Sequence, residues 1–259
     1  MPLSSRAIVV VALIALHLMA GLALGFLSTD RWPEPTTVLY VALVFAQMCL
    51  IGIWAGIGRG WLPIRLVGAA IGVGCVFGLM SLFMPTGEEA FYMLGGSAAV
   101  AAGTLLVARC WRVQLLLFGD GQPAEAAEAF KFAIRHLLYL TLVVAVLLTL
   151  GRSLSNYLHW PDDWAFILTI CICFATISLA AVWASLGMRS VRFRLLVLIA
   201  LACVTGLIPP FGWQNMIEHG YIAFPILTAL MSLFVGLTLL AMRWCGYRVV
   251  RLPTESPEG

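Results

Sequence analysis

Apolar residues in this chain come in unbroken runs of about twenty, separated by short stretches that hold most of the Arg, Pro and charged positions. The runs neither alternate nor keep to one helical stripe. A continuous run of roughly 20 apolar residues is what an α-helix needs to cross a hydrocarbon layer about 30 Å thick. In lipid every backbone N–H and C=O must be satisfied within the structure itself, so only helices and closed barrels can span, and the strands of a barrel would alternate. The pattern predicts eight helical spans, at approximately 7–27, 37–58, 62–84, 90–108, 133–151, 164–187, 194–213 and 221–242. The fifth and seventh are the weakest, each completed by a charged or proline-containing end. Pro209-Pro210 is expected to end or kink the seventh at its outer end. The first run opens on a basic residue, but it is longer than the roughly 7–15 residues of a signal-peptide core, and it is read as a retained span.

Composition supports the same class. Of 259 residues, 62% are hydrophobic and 10% are charged, with a mean hydropathy of +1.02. A soluble domain carries roughly 25% charged residues and could not cover so much apolar surface. The net charge of +3 does not mark a nucleic-acid binder, because the basic residues form short clusters between apolar runs and no basic stripe. Those clusters instead orient the chain. With both termini cytoplasmic, thirteen of the fifteen Lys and Arg fall on the inner side, from Arg6 to Arg251, and only Arg31 and Arg152 fall outside. Trp32, Trp160, Trp164 and Trp213 then lie at the outer boundary, and Trp61, Trp111 and Trp244 at the inner one, as indole rings do at membrane interfaces. Seven cysteines, an odd number set in or beside spans, argue against a disulfide framework or a thiolate metal site.

The pattern also repeats. "FAQMCLIGIWAGIG" (45–58) and "FATISLAAVWASLG" (174–187) share six identities in fourteen positions at an offset of 129. Roughly one or two would be expected by chance between apolar helices. At the same offset Arg6 aligns with Arg135, Arg65-Leu66 with Arg194-Leu195, and Glu89 and Tyr92 with Glu218 and Tyr221. "RCWRV" (109–113) and "RWCGYRV" (243–249) close the two halves alike. The division expected is a four-span repeat over 1–118, a cytoplasmic linker with a short helix over 119–131, a second four-span repeat over 132–251 and a disordered tail over 252–259. An even number of spans per half makes the repeats parallel, related by an axis along the membrane normal. In the linker, Gly119-Asp120-Gly121 is turn chemistry, and Pro123 with Glu125 and Glu128 suits a helix start.

Candidate chemistry is sparse. Ionisable groups inside a membrane are costly and therefore informative. His17 in the first span and Gln47 in the second are the candidate polar intramembrane residues, and no Asp, Glu or Lys falls near the middle of a predicted span. His17 is read as a neutral imidazole bonded to a neighbouring helix, with a proton relay or ligand contact as the sharper reading. Gln47 aligns with Thr176, and interhelical hydrogen bonding accounts for both. Glu89 and Glu218 form a candidate outer acidic pair, together with Glu88, Asp162, Asp163, His159 and His219 nearby, but their spacing matches no metal-ligand motif. Glycines four apart at 52–56, 68–72 and 74–78 are small-xxx-small patterns that bring helices close. No nucleophile elbow, phosphate-cradling loop or zinc-protease motif occurs. Neither catalytic residues, a cofactor nor a metal is expected.

The segment "FAIRHLLYLTLVVAVLL" (132–148) resembles a stretch of planctomycete-type bacterial multi-span membrane proteins, in which Phe-x-[Ile/Leu]-Arg-x-Leu-Leu leads into a Val/Ala/Leu span. "CGYRVVR" (245–251) is similar to the Gly-Tyr-Arg ending of that group. The resemblance implies a bacterial inner-membrane location and no particular activity. The expectation is therefore an all-α integral membrane protein, an eight-span bundle of two parallel repeats. Its expected role is non-enzymatic, structural or in assembly, and its partners are the lipid bilayer and other membrane proteins or a second copy. The alternative is a small-solute carrier or channel with a site between the repeats. A carrier would hold a polar midplane cavity there, whereas a scaffold would be filled.

Overall fold

Seven of the eight apolar runs fold as helices within a few residues of their predicted ends. They are α1 (Ser5–Leu27), α2 (Pro35–Ile57), α3 (Leu62–Phe83), α4 (Glu88–Cys110), α5 (Trp164–Leu186), α6 (Val191–Gly212) and α7 (Ile217–Trp244). The structure, a computed structural model, describes residues 5–28, 34–58, 61–83, 88–110, 113–117, 128–129, 164–186, 191–212 and 217–251. The fifth predicted span and the 252–259 tail lie outside those residues.

Local chemistry sets the ends. Pro35 opens α2, where its missing N–H costs nothing, and Gly58 closes it with its N–H on the Trp54 carbonyl at 2.9 Å. The helix α6 runs through Pro209-Pro210 but stops two residues later, at Gly212. Pro225 lies inside α7, as its ninth residue.

Four helices are long and apolar enough to cross a membrane by their described residues: Pro35–Ile57, Leu62–Phe83, Thr169–Leu186 and Ile222–Trp244. Their surroundings are apolar both inside and outside. The core is built from Leu43, Phe45, Met48, Ile53, Phe174, Ile177, Leu227 and Met231, all buried. The exterior presents Leu16, Met19, Phe26, Ile64, Ile71, Leu82, Phe193 and Leu196, all more than half exposed. Water would not tolerate an apolar exterior of that extent, whereas lipid requires one. The chain has the construction of a helical membrane protein.

Contacts fix the direction of every described helix. Gly52 lies against Ala98 and Ala101, and Gly56 against Ala102 and Leu105, so α2 and α4 run in parallel. Phe45 meets Phe174 with ring centroids 4.4 Å apart, and one turn later Cys49 reaches the Phe174 carbonyl that Ser178 also bonds, so α5 runs the same way. In contrast, Trp54 and Ile51 meet Gly68 and Gly72 in descending order, which makes α3 antiparallel to α2. Cys173 and Trp183 meet Thr205 and Arg194 likewise, so α6 opposes α5. Gly206 and Ala202 meet Pro225 and Thr228, which returns α7 to the direction of α5. Four parallel helices, α2, α4, α5 and α7, therefore form the centre, and α1, α3 and α6 lie outside them in the opposite sense. Sixteen of the 23 residues of α2 are buried, against two of the 22 in α3.

A small sheet ties the ends of the central helices together. The strand β1 (Val113–Leu117) follows α4 and β3 (Tyr247–Arg251) follows α7; they pair antiparallel with Leu115 opposite Val249. The two-residue strand β2 (Glu128–Ala129) adds to the other edge of β3. Glu128 and Ala129, expected in the short linker helix, are thus strand: the pairing offered by β3 outweighs the weak helix-start signal. Gly246, at φ 94°, makes the left-handed turn from α7 into β3.

Candidate functional site

Parallel central helices place four C-termini at one end, and unpaired C-terminal carbonyls carry the negative pole of each helix. Arginines meet two of the four, those of α2 and α5. Arg65, only 1% exposed, donates through Nη1 to the carbonyls of Ala55 (2.8 Å) and Gly56 (3.2 Å) at the end of α2. Its counterpart Arg194 donates to the Trp183 carbonyl at the end of α5 (3.1 Å) and lies 4.8 Å above the Trp183 ring. Arg243, in the last turn of α7, donates to the Ser185 carbonyl at 3.1 Å. These residues stood out in the sequence as repeat markers and topology signals. Their role as caps on neighbouring helices was not visible there.

The opposite poles account for the acidic candidates. Glu88 and Glu89 are the first two residues of α4, and Glu218 is the second of α7. Glu34 precedes Pro35 of α2, and Asp162 and Asp163 precede Trp164 of α5 in the sequence. Every one of the four parallel helices thus begins with carboxylates, where the positive pole favours them. The side chains of Glu89 and Glu218 lie outside the described set, as do His159 and the His219 side chain. Among the described residues no group of three or more His, Cys, Asp or Glu is placed to hold a metal ion.

His17 and Gln47, 30 residues apart, meet. Gln47 is 6% exposed and donates through Nε2 to the His17 carbonyl at 3.0 Å, joining α2 to α1. Gly21, one turn beyond His17, lies beside that amide, and a Cβ there would make only an ordinary contact with Nε2 at 3.5 Å. The imidazole makes two contacts. Nδ1 lies 2.9 Å from the Leu13 carbonyl in its own helix, and Nε2 lies 3.2 Å from Thr238 Oγ1 on α7. Thr238 Oγ1 is also 2.8 Å from the Phe234 carbonyl. The first, second and last helices are therefore joined at one polar point inside an otherwise apolar packing. Thr238 was missed by sequence reasoning; a hydroxyl in a span most often bonds its own helix, as Thr176 does with Ile172 at 2.9 Å. Two buried atoms in this region, Gln47 Oε1 and the Tyr40 hydroxyl, have no hydrogen-bond partner among the described residues.

Among the described residues, the packing where α2 meets α5 is filled with apolar side chains. Phe45 and Phe174 meet edge to face, with Ala46, Met48, Cys49, Ile177 and Ala181 buried around them. Its polar groups are small and bonded: Ser178 to the Phe174 carbonyl (2.7 Å), and Ser97 to the Cys171 sulfur (3.8 Å). Comparison with protein-family models, curated proteins and solved structures finds no match to this chain.

Proposed function

We propose that this chain is a multi-pass protein of the bacterial inner membrane with a non-enzymatic, structural or assembly role. In this proposal it is built from two four-span units of common origin that lie the same way up, with both termini cytoplasmic. Three features support a common origin. The helices α5, α6 and α7 begin 129 positions after α2, α3 and α4, at 164, 191 and 217 against 35, 62 and 88. Counterparts also meet each other: Phe45 pairs with Phe174, and Cys49 shares the Phe174 carbonyl with Ser178, again 129 apart. Residues that touch their own equivalents lie on the two-fold axis of an isologous interface. The end of α7 runs five residues later than that of α4, and at the resulting offset of 134 Leu115 and Val249 are counterparts and stand directly opposite each other in the β1–β3 ladder.

One observation carries the structural role: the axis between the halves is filled with buried aromatic and aliphatic side chains, and their inner ends are stitched by a strand ladder. A carrier with its site at that interface would have to separate Phe45 from Phe174. The competing carrier reading draws on the unpartnered Gln47 Oε1, which lies away from the axis, between α1 and α2.

Native cysteines test the choice. Cys49 is fully buried on the axis and Cys171 is buried beside it. In isolated membranes, both thiols should stay unmodified by a water-soluble maleimide for hours and react at once in SDS, as read by peptide mass spectrometry. Modification of Cys49 in the native membrane would show an axis that opens to water and would favour the carrier.

A further inference from the structure

We propose that the seam enclosed by α1, α2 and α3 is a binding site for water, held at one end by the Tyr40 hydroxyl and at the other by the Gln47 amide oxygen. Thr37, Tyr40, Val44, Gln47 and Ile51 follow one another at spacings of three and four, so they form one stripe along α2. Contacts place that stripe on the seam. Ile51 meets Gly72 of α3, Gln47 meets Gly21 of α1, and Tyr40 meets Phe83 of α3 edge to face with ring centroids 6.2 Å apart. Gly21 in turn faces Leu79 of α3, which closes the triangle of helices. Three of the five stripe residues are polar and all three are buried, Tyr40 at 0% exposure and Gln47 at 6%.

The chemistry of the two ends calls for a small molecule that both donates and accepts. The Gln47 nitrogen is spent on the His17 carbonyl, and its oxygen, which can only accept, meets no donor among the described residues. The Tyr40 hydroxyl, a donor and an acceptor, meets neither there. A buried polar atom without a partner is costly, and a lipid tail offers it nothing. Ordered water is the common remedy. One water donates to Gln47 Oε1 and another accepts the Tyr40 O–H, while helix carbonyls along the seam keep a second lone pair for the remaining hydrogens. Seven residues along a helix span about 10 Å, too far for a single water to serve both groups. The wall is short of a side chain beside Gln47. A carbon at the Gly21 Cβ position would stand 3.5 Å from Nε2 and 3.6 Å from Leu79, at ordinary contact, so a small group fits there without displacing either. Polar groups at the axis differ, since Ser97 and Ser178 bond protein atoms.

Radiolytic hydroxyl-radical footprinting of the full-length protein in lipid nanodiscs tests the site, because a radical formed from a bound water oxidises the side chain beside it. Tyr40 and Leu79 should be hydroxylated, as read by peptide mass spectrometry. Phe45 and Phe174 on the axis and the lipid-facing Ile71 should stay intact. Absence of oxidation at either Tyr40 or Leu79 would overturn the proposal. Oxidation of the axis phenylalanines to the same degree would overturn it too, and would also count against a filled axis; oxidation confined to the seam leaves the axis reading untouched. Tyr40→Phe gives a second readout. Removing a hydroxyl that is bonded to water should lower the melting temperature by about 2–4 °C. An unchanged or higher value, as expected for a hydroxyl buried without a partner, would contradict the site. If Tyr40→Phe does not fold, footprinting of the unaltered protein decides the matter.

Discussion

Arg65 holds a guanidinium where almost no water reaches it, and the carbonyls it meets explain how. The last turn of α2 leaves Ala55 and Gly56 oxygens without helical partners, and the arginine supplies donors that lipid cannot. Hydrogen bonds to charged groups contribute about 1.5–3 kcal/mol each. Replacing Arg65 with Met should lower the melting temperature in detergent sharply, whereas Arg194→Met, at a half-buried site, should cost less. Equal losses would show that burial is not what makes Arg65 matter. Glycines divide in the same way. A methyl group at Gly52 would stand 2.7 Å from the Ala98 carbonyl, and one at Gly56 would strike Leu105. At Gly74 and Gly78 it would meet nothing within 4 Å. Gly52→Ala and Gly56→Ala should each destabilise by about 1–3 kcal/mol through overpacking. Gly74→Ala and Gly78→Ala should be neutral or stabilise by up to about 1 kcal/mol. Thermal unfolding of the four variants in one detergent compares them directly; a destabilised Gly74→Ala would contradict the open space around it.

Between elements, one position distinguishes the packing of α6 from that of α3. Gly206 lets α6 approach α7 so closely that Thr228 reaches across to the Ala202 carbonyl at 2.8 Å. The position 129 residues earlier is Phe77, and α3 packs far less against α4 than α6 does against α7. Gly206→Phe should push α6 off its partner and expose its amides to faster hydrogen exchange, leaving exchange in α2 and α4 unchanged. Protection of α6 as in the unaltered protein would refute this cause of the asymmetry. Much at this scale was legible in the chain. Helix positions followed from apolar runs, because length and continuity are what lipid demands, and His17 and Gln47 stood out because polar groups there are costly. Their meeting with Thr238 was not legible, since a hydroxyl's partner depends on rotation and neighbours. The sheet was hidden as well: "VQLLL" and "YRVVR" carry no turn signal that marks them as a pair, and the ladder arises only once two helix ends are side by side. The packing glycines were read correctly at 52–56 and 68–72, while 74–78 has the same spacing on a face that meets nothing.

At the scale of the molecule, each of the four central helices carries about half an elementary charge at either end, and all four point the same way. The outer helices α1, α3 and α6 run the other way and offset part of that field; the sequence answers the rest with carboxylates at the starts of the central helices and arginines at the ends of α2 and α5. In the proposed orientation, the thirteen-to-two bias of basic residues serves membrane orientation and helix polarity together. The proposed pair of four-span units facing the same way accounts for both. Single cysteines at Gly60, Arg189, Gly87 and Met216, placed in an otherwise cysteine-free protein, test that most directly by labelling from each side of the membrane. Gly60→Cys and Arg189→Cys, 129 apart, should react from the cytoplasmic side alone, and Gly87→Cys and Met216→Cys from the outer side alone. Labelling of positions 60 and 189 from opposite sides would contradict the parallel arrangement.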